Sequence, residues 1–373
     1  MSILEEKPNP DSEEFKKIIT FQQKVPKRVH FAELHIDTEV IKYFTENVFG
    51  RKWVEPCEAK DREAQKAAIA NYIYCWYRLG YDYVRFTGDF RFSANLTFGG
   101  KKRTAKDTAP SLSRGERKWV EEGKGVVTTW EEFERYRWPS PDEVETWPLE
   151  FAAQNLPEGM GIMGCLSSGI FEALINELMG VESLSYLVYD QPDLVEAVAN
   201  RVGETIYRSY QKIIGLDRLI GFFQGDDLGY KTATMVSPTI LRKYILPWHK
   251  RLAQLAHQHN LLYLLHSCGN TELIMEDLVS DVRIDGKHSF EDAILPVTEF
   301  KKRYGDRVAV LGGVDVHELC RLEENELRRY VRKILDQCMP GGGYALGTGN
   351  SVANYIPVVN YLIMLDEGKR WLR

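Results

Sequence analysis

The sequence predicts an α/β fold, a distorted (β/α)8 barrel of the TIM type. From about residue 28 onward, short apolar β-rich runs alternate with longer helical patterns, and the alternation recurs eight times. Several runs are apolar throughout, as strands covered on both faces are. The length of 373 residues agrees, because single α/β barrels commonly run to about 250 residues or more with insertions. The chain is accordingly expected to be one domain over 1–373, with an N-terminal extension over 1–27 and an insertion or lid over 88–157.

The eight expected strands, in order, are Val29–Ala32, Tyr83–Phe86, Gly161–Met163, Leu219–Phe223, Leu261–Leu265, Val282–Ile284, Val308–Leu311 and Tyr344–Leu346. Between them, Arg62 to Leu79 has the amphipathic spacing of a helix. Gln191-Pro192-Asp193 marks a second helix start. Ser237-Pro238 marks a third, with proline where its missing N–H costs nothing, and this helix should run toward His259-Asn260 with a kink near Pro247. The segment 88–157 breaks the rhythm, being rich in Gly, Pro, Ser, Trp and charge, and is read as an insertion after the second strand.

Composition narrows the class of function. The 48 basic and 54 acidic residues leave a net charge of -6, with no basic arm or tail, which argues against nucleic acid or an anionic membrane as partner. No secretory signal is evident, no run reaches the ~18 apolar residues of a spanning helix, and six scattered cysteines fit a reducing compartment. A cytoplasmic location is expected. The charge is uneven, since Lys101, Lys102, Arg103, Lys106, Arg114, Arg117 and Lys118 face only Asp107 and Glu116 between 101 and 118. That stretch is a solvated loop, or a lid or docking patch for an anion or an acidic partner.

In such a barrel the active site lies where the loops leave the carboxyl ends of the strands. The residues following the eight runs are Glu33 to Asp37, Thr87-Gly88-Asp89, Cys165 to Gly169, Gln224 to Gly229, His266 to Asn270, Lys287-His288-Ser289, Gly312 to Asp315 and Gly347 to Asn350. Nearly every strand thus ends in side chains that ligate, hydrogen-bond or titrate. On an extended segment residues two apart point to the same side, so His266 and Cys268 can converge as a zinc-type imidazole and thiolate pair. Asp226 and Asp227 are adjacent and point apart, so one faces the cleft as ligand or acid–base group while the other caps backbone. Glu33, His35, His288 and Asp315 are spare candidates for a third ligand, and His249, His257 and His259 read as packing or surface residues.

The segments Gly-Asp-Asp-Leu-Gly at 225–229, Ser237-Pro238 with Pro247, His-Ser-Cys-Gly at 266–269, Gly312-Gly313-Val314-Asp315 and Gly-Gly-Gly-Tyr-Ala-Leu-Gly-Thr-Gly at 341–349 resemble the uroporphyrinogen decarboxylase superfamily, from about Gly161 to the carboxyl terminus. The resemblance implies a distorted barrel and one of two activities: cofactor-free porphyrinogen decarboxylation, or zinc-dependent methyl transfer with corrinoid proteins. Decarboxylases of this kind carry arginines after the first strand, whereas here Phe31 to Asp37 contains none, and Glu33 and Asp37 would repel a poly-anionic porphyrinogen. The methyltransferase branch is similar at His266-x-Cys268, the pair that ligates its zinc. Its further zinc-ligating cysteine falls at Thr348 here, and a hydroxyl is a poor zinc donor. Either Glu33, His35, Asp227 or Asp315 completes the site or the metal is lost.

The resemblance therefore implies a methyltransferase moving a methyl group between a small methoxylated or methylated compound and a corrinoid supplied by a separate protein. Zinc, on His266 and Cys268, would act as Lewis acid. Asp226 or Asp227 would join His266 in catalysis, and Glu33, His35, Ser167 and Asn350 would contact substrate. A homodimer is left open. The alternatives are a metal-free decarboxylase-like enzyme or a tetrapyrrole-binding protein.

Overall fold

The structure, a computed structural model, describes residues 4–86, 96–100, 102–120 and 125–371. Its strands are β1 (Tyr83–Phe86), β2 (Lys102–Lys106), β3 (Glu116–Val120), β4 (Gly161–Gly164), β5 (Leu219–Gly225), β6 (Leu262–His266), β7 (Gly286–His288), β8 (Ala309–Leu311) and β9 (Tyr344–Ala345). Seven of them form one parallel sheet in the order β1-β4-β5-β6-β7-β8-β9, while β2 and β3 form a separate antiparallel pair. The sheet curls into a distorted barrel of mixed α/β type. Among the described residues no helix is long and apolar enough to cross a membrane.

The expected first strand is present only in part, and this is the distortion. The segment around Phe31 pairs with the last strand, through Ala32 N–H to the Leu346 carbonyl and Leu346 N–H to the His30 carbonyl, both 2.8 Å. On its other flank the Tyr83 hydroxyl takes the place of a strand, accepting from Glu33 N–H at 3.0 Å and lying 2.9 Å from the Glu33 carbonyl. The Arg85 guanidinium then donates to the Leu34 carbonyl at 2.8 Å. Side chains, where a regular barrel has a backbone ladder, span the opening between the first segment and β1.

The sixth strand departs from the expected Val282–Ile284. Residues 277–282 are helical, Arg283 turns with φ +65°, and the strand begins at Gly286. Val282 and Ile284 are apolar because both are buried, and burial alone does not separate a helix end from a strand. Gly286 fits the strand because a side chain there would press on Leu264 at 3.0 Å and Leu311 at 3.1 Å. Lys287 and His288 are therefore strand residues and not loop residues.

The expected helices form for visible local reasons. Arg62–Leu79 is capped by the Asp61 side chain, which accepts from Ala64 N–H, and ends at Gly80 with φ +93°. Pro192–Ile213 opens on its proline. The helix after Ser237 widens by one residue per turn over Leu241–Ile245 before continuing as Leu246–Gln258, which accommodates Pro247, although Ser237 makes no side-chain cap. At the amino end of the sheet, the helix Ser12–Ile19 buries Phe15, Ile18 and Ile19. It is tied to the strand starts by Asp11 N–H to Asp82 at 2.7 Å and Gly343 N–H to the Ile18 carbonyl at 3.1 Å.

Part of the basic stretch is spent on anchoring β2 and β3. Arg114 pairs with Asp37 at 2.7 Å and Glu39 at 2.9 Å, and Arg117 pairs with Asp107 at 2.7 Å. Thr87, Gly88, Asp89 and Lys101 lie outside the described residues, as do the side chains of Lys102 and Lys118.

Candidate metal centre

Strand register builds the site. Gly225, His266 and His288 stand in one row across β5, β6 and β7, so residues two positions further on from Gly225 and His266 reach the same mouth. Those residues are Asp227 and Cys268. One donor atom from each of Asp227, His266 and Cys268 lies within 4.8 Å of the other two. His266 Nε2 is 3.3 Å from Cys268 Sγ and 3.6 Å from Asp227 Oδ1, close to the ~3.5 Å between ligands of a tetrahedral zinc with 2.0–2.3 Å bonds. The imidazole is the inner member of the three, with its side chain 7% exposed, and Asp227 the outer one at 37%. Thiolate, imidazole and carboxylate at these spacings fit zinc.

The hydrogen-bond network sets which nitrogen of His266 is free. The Thr348 carbonyl can only accept, so His288, 3.1 Å away, carries its proton on Nε2. Burial, with Lys287 second, pushes His288 down to about 3, so the ring is neutral and its Nδ1 is an acceptor. His266 Nδ1, 2.7 Å from that atom, must then donate. Burial also holds His266 well below the ordinary histidine range, which leaves Nε2 as a bare lone pair facing Asp227 and Cys268. Chains of this sort orient metal-binding imidazoles. In the metal-free state burial pushes the Cys268 thiol up, while Asn350 Nδ2 donates to Sγ at 3.3 Å and favours the thiolate.

The two aspartates divide as their adjacency predicts. Asp227 Oδ1 accepts from Cys268 N–H at 2.9 Å and faces the mouth. Asp226 faces the other way and is fully buried, accepting from Ile170 and Phe171 N–H at 3.0 Å, Glu172 N–H at 2.9 Å and His249 Nε2 at 2.9 Å. It pins the loop after β4 to β5, with His249 held in turn by the Tyr263 hydroxyl at 2.7 Å.

The remaining candidate residues make other contacts. Asp315 caps the helix Val316–Arg321 and accepts from His317, Glu318 and Asp292 N–H. His35 lies 3.5 Å from Asp37. Ser167 is buried after β4, where its carbonyl accepts from Gln224 Nε2 at 3.2 Å. His288 stands behind His266 and not beside it as a ligand. Glu33 binds Thr348, through Thr348 N–H at 2.7 Å and the hydroxyl at 2.6 Å.

Burial raises Glu33 to about 8, against the lowering effect of those bonds. The geometry agrees, because a protonated Glu33 donates to Thr348 Oγ1 and leaves the single hydroxyl proton for the Asn350 carbonyl at 3.0 Å. A carboxyl whose pKa is raised by folding stabilises the fold fully below about 4.5 and loses that contribution as pH rises through about 8. Unfolding free energy should therefore fall by a few kcal/mol between those limits. Glu33→Gln should flatten the slope in urea titrations at pH 5, 7 and 8.5, and an unchanged slope would refute the assignment.

Three neighbours of the site were given no role in the sequence. Lys287 and Arg85 are buried cations on strands, and Glu172 is held well above the usual carboxylate range by burial and by Asp227 and Asp226. Only the glycine before Lys287 and the run of apolar residues around Arg85 hinted at burial.

Similarity to known proteins agrees with this architecture. The uroporphyrinogen decarboxylase (URO-D) family matches residues 127–371. No curated protein matches the chain in sequence. Among solved structures, a methyltransferase from Methanosarcina mazei superposes with a TM-score of 0.68 at 16% identity, covering 96% of this chain and 98% of that one. A B12-independent methionine synthase from Shewanella sp. W3-18-1 superposes at 0.50 and 12% identity, covering 83% of this chain and 88% of that one. At these identities the likeness is one of fold. The family match, which spans the helices and strands that carry Asp227, His266, Cys268 and Thr348, places this chain in the uroporphyrinogen decarboxylase (URO-D) family.

Proposed function

We propose that this chain is a zinc-assisted methyltransferase, moving a methyl group between a small methoxylated or methylated compound and a corrinoid carried by a separate protein. The observation that carries the reading is the convergence of Asp227, His266 and Cys268, with the bare Nε2 of His266 turned toward the other two. It answers the loss of a thiol at Thr348, because the carboxylate of Asp227 supplies the third donor. Support from the fold comes from two structural relatives whose names carry methyl transfer or methionine synthesis. The second is B12-independent by name, so the corrinoid half of the proposal does not follow from the fold.

Bound zinc would supply Lewis acidity to the heteroatom that bears the methyl group, making it a better leaving group. The chain's own residues do the rest. His288 and the Thr348 carbonyl hold the His266 ring in one tautomer. Asn350 Nδ2 donates to Cys268 Sγ and stabilises its anion. Asp226 fixes the backbone that presents Asp227. Burial and the charges of Asp227 and Asp226 hold the Glu172 carboxyl above the usual carboxylate range beside them.

The test is metal content together with methyl transfer. Purified protein should carry one zinc per chain and demethylate a methoxylated compound onto reduced cobalamin offered in place of the partner. His266→Ala should lose both the zinc and at least about a hundredfold of the rate. A protein that takes up no zinc, or a His266→Ala variant of undiminished rate, refutes the mechanism.

A further inference from the structure

Thr348, fully buried after β9, reaches two of the three proposed ligands, one through its carbonyl and one through its hydroxyl. The carbonyl accepts from His288 Nε2 at 3.1 Å, and His288 Nδ1 lies 2.7 Å from His266 Nδ1. The hydroxyl donates to the Asn350 carbonyl at 3.0 Å, and the same asparagine donates from Nδ2 to Cys268 Sγ at 3.3 Å. Among the described residues the Thr348 hydroxyl is the one hydrogen-bond partner of that carbonyl. His266 and Cys268 are thus each linked to Thr348 through a single intervening residue.

Thr348 is itself fixed by segments distant in the chain. Its N–H donates to Glu33 Oε1 at 2.7 Å, and its hydroxyl lies 2.6 Å from Glu33 Oε2. Its carbonyl also accepts from Gly313 N–H at 3.2 Å, so both lone pairs are used. On either side, Val314 N–H donates to the Gly347 carbonyl at 3.0 Å, Gly349 N–H to the Val314 carbonyl at 2.6 Å and Phe290 N–H to the Gly349 carbonyl at 2.8 Å. Only glycine allows so close an approach: a side chain at 347 would fall 1.8 Å from the Ala32 carbonyl oxygen, and one at 349 would fall 2.2 Å from that of Phe290. Glu33 lies outside the cluster of Asp227, His266 and Cys268, so the anchor of Thr348 is independent of the donors it supports. A residue held in this way can fix the direction of side chains that hang from it.

We propose that Thr348, anchored by Glu33, is a positioning residue for the metal centre: its hydroxyl fixes Asn350 on the Cys268 sulfur and its carbonyl fixes His288 on the His266 imidazole. A hydroxyl is not among the usual donors to zinc, so Thr348 acts through the ligands and not as one. This assignment rests on the metal reading above and adds to it the residue that orients two ligands together.

Zinc affinity of the folded, metal-free chain, read by competition with a chromophoric chelator, tests it through double-mutant cycles. Thr348→Val removes the hydroxyl and keeps the carbonyl. It should weaken zinc binding about 10–100-fold, and Thr348→Ser should recover it to within about threefold of the unaltered protein. The valine penalty should largely vanish in an Asn350→Ala background, where the link to the thiol is already lost. It should persist in full in His288→Leu, because that link runs from the carbonyl. A residue that only stiffens the fold would add its penalty in both backgrounds. Undiminished zinc affinity in Thr348→Val, a serine that fails to restore it, a penalty that adds in Asn350→Ala or one that vanishes in His288→Leu overturns the proposal. Thr348→Ala runs the same cycles if the valine variant does not fold. Unaltered protein that takes up no zinc refutes the metal reading and this proposal with it, whereas zinc uptake with an inert Thr348→Val refutes the positioning role alone.

Discussion

Asp226→Ala is expected to lower the unfolding free energy by on the order of 3–5 kcal/mol, the cost of leaving buried polar groups stranded when one partner is removed. Three backbone N–H groups at residues 170–172 and the Nε2 of His249 all end on this one buried carboxylate. Alanine supplies no acceptor, and one water in the space of the lost carboxylate accepts only two hydrogen bonds where four donors converge. The substitution should also reduce activity, because the loop after Asp226 presents Asp227. Urea unfolding measures the first effect. A loss under about 1 kcal/mol would mean that these groups find other partners and that Asp226 is not the pin described here.

Cys268→Ala is expected to act on the metal and not on the fold. Removing one of the three proposed ligands should weaken zinc binding by more than the ~10–100-fold typical of losing a residue behind the ligands. Stability should change by less than about 1 kcal/mol, since Cys268 is only partly buried and small. His288→Leu offers the graded control. It keeps all three ligands and frees the His266 ring to turn, so its loss should fall within that ~10–100-fold range. Competition with a chromophoric chelator reads both. Unchanged zinc affinity in Cys268→Ala would show that the thiol is not a ligand.

The barrel was legible because its cause is repetitive. Seven of the eight apolar runs overlap or abut elements of the parallel sheet or its bridge to Leu346, since strands covered on both faces must be apolar wherever they occur. The exception, Val282–Ile284, shows the limit: the same apolar signal arises at a helix end packed inward, and nothing local distinguishes the two. The pair His266 and Cys268 was legible for a similar reason, because spacing by two on a strand is a geometric fact available in one dimension.

The third donor was not legible. Glu33, Asp227 and Asp315 were equivalent as carboxylates and His35 was an equally possible imidazole, and the choice among them turns on contacts across strands. Glu33 is taken by Thr348, Asp315 by a helix terminus and Asp226 by the loop after β4, which leaves Asp227, two residues beyond the Gly225 that pairs with His266. The sequence by itself determined the periodicity, hence the fold class, and the family to which the chain belongs. Tertiary structure alone decided which carboxylate is spare, which nitrogen of His266 is bare and that Lys287 is buried beside them. These are properties of hydrogen-bond saturation and of burial between segments distant in the chain, and neither is encoded at any single position.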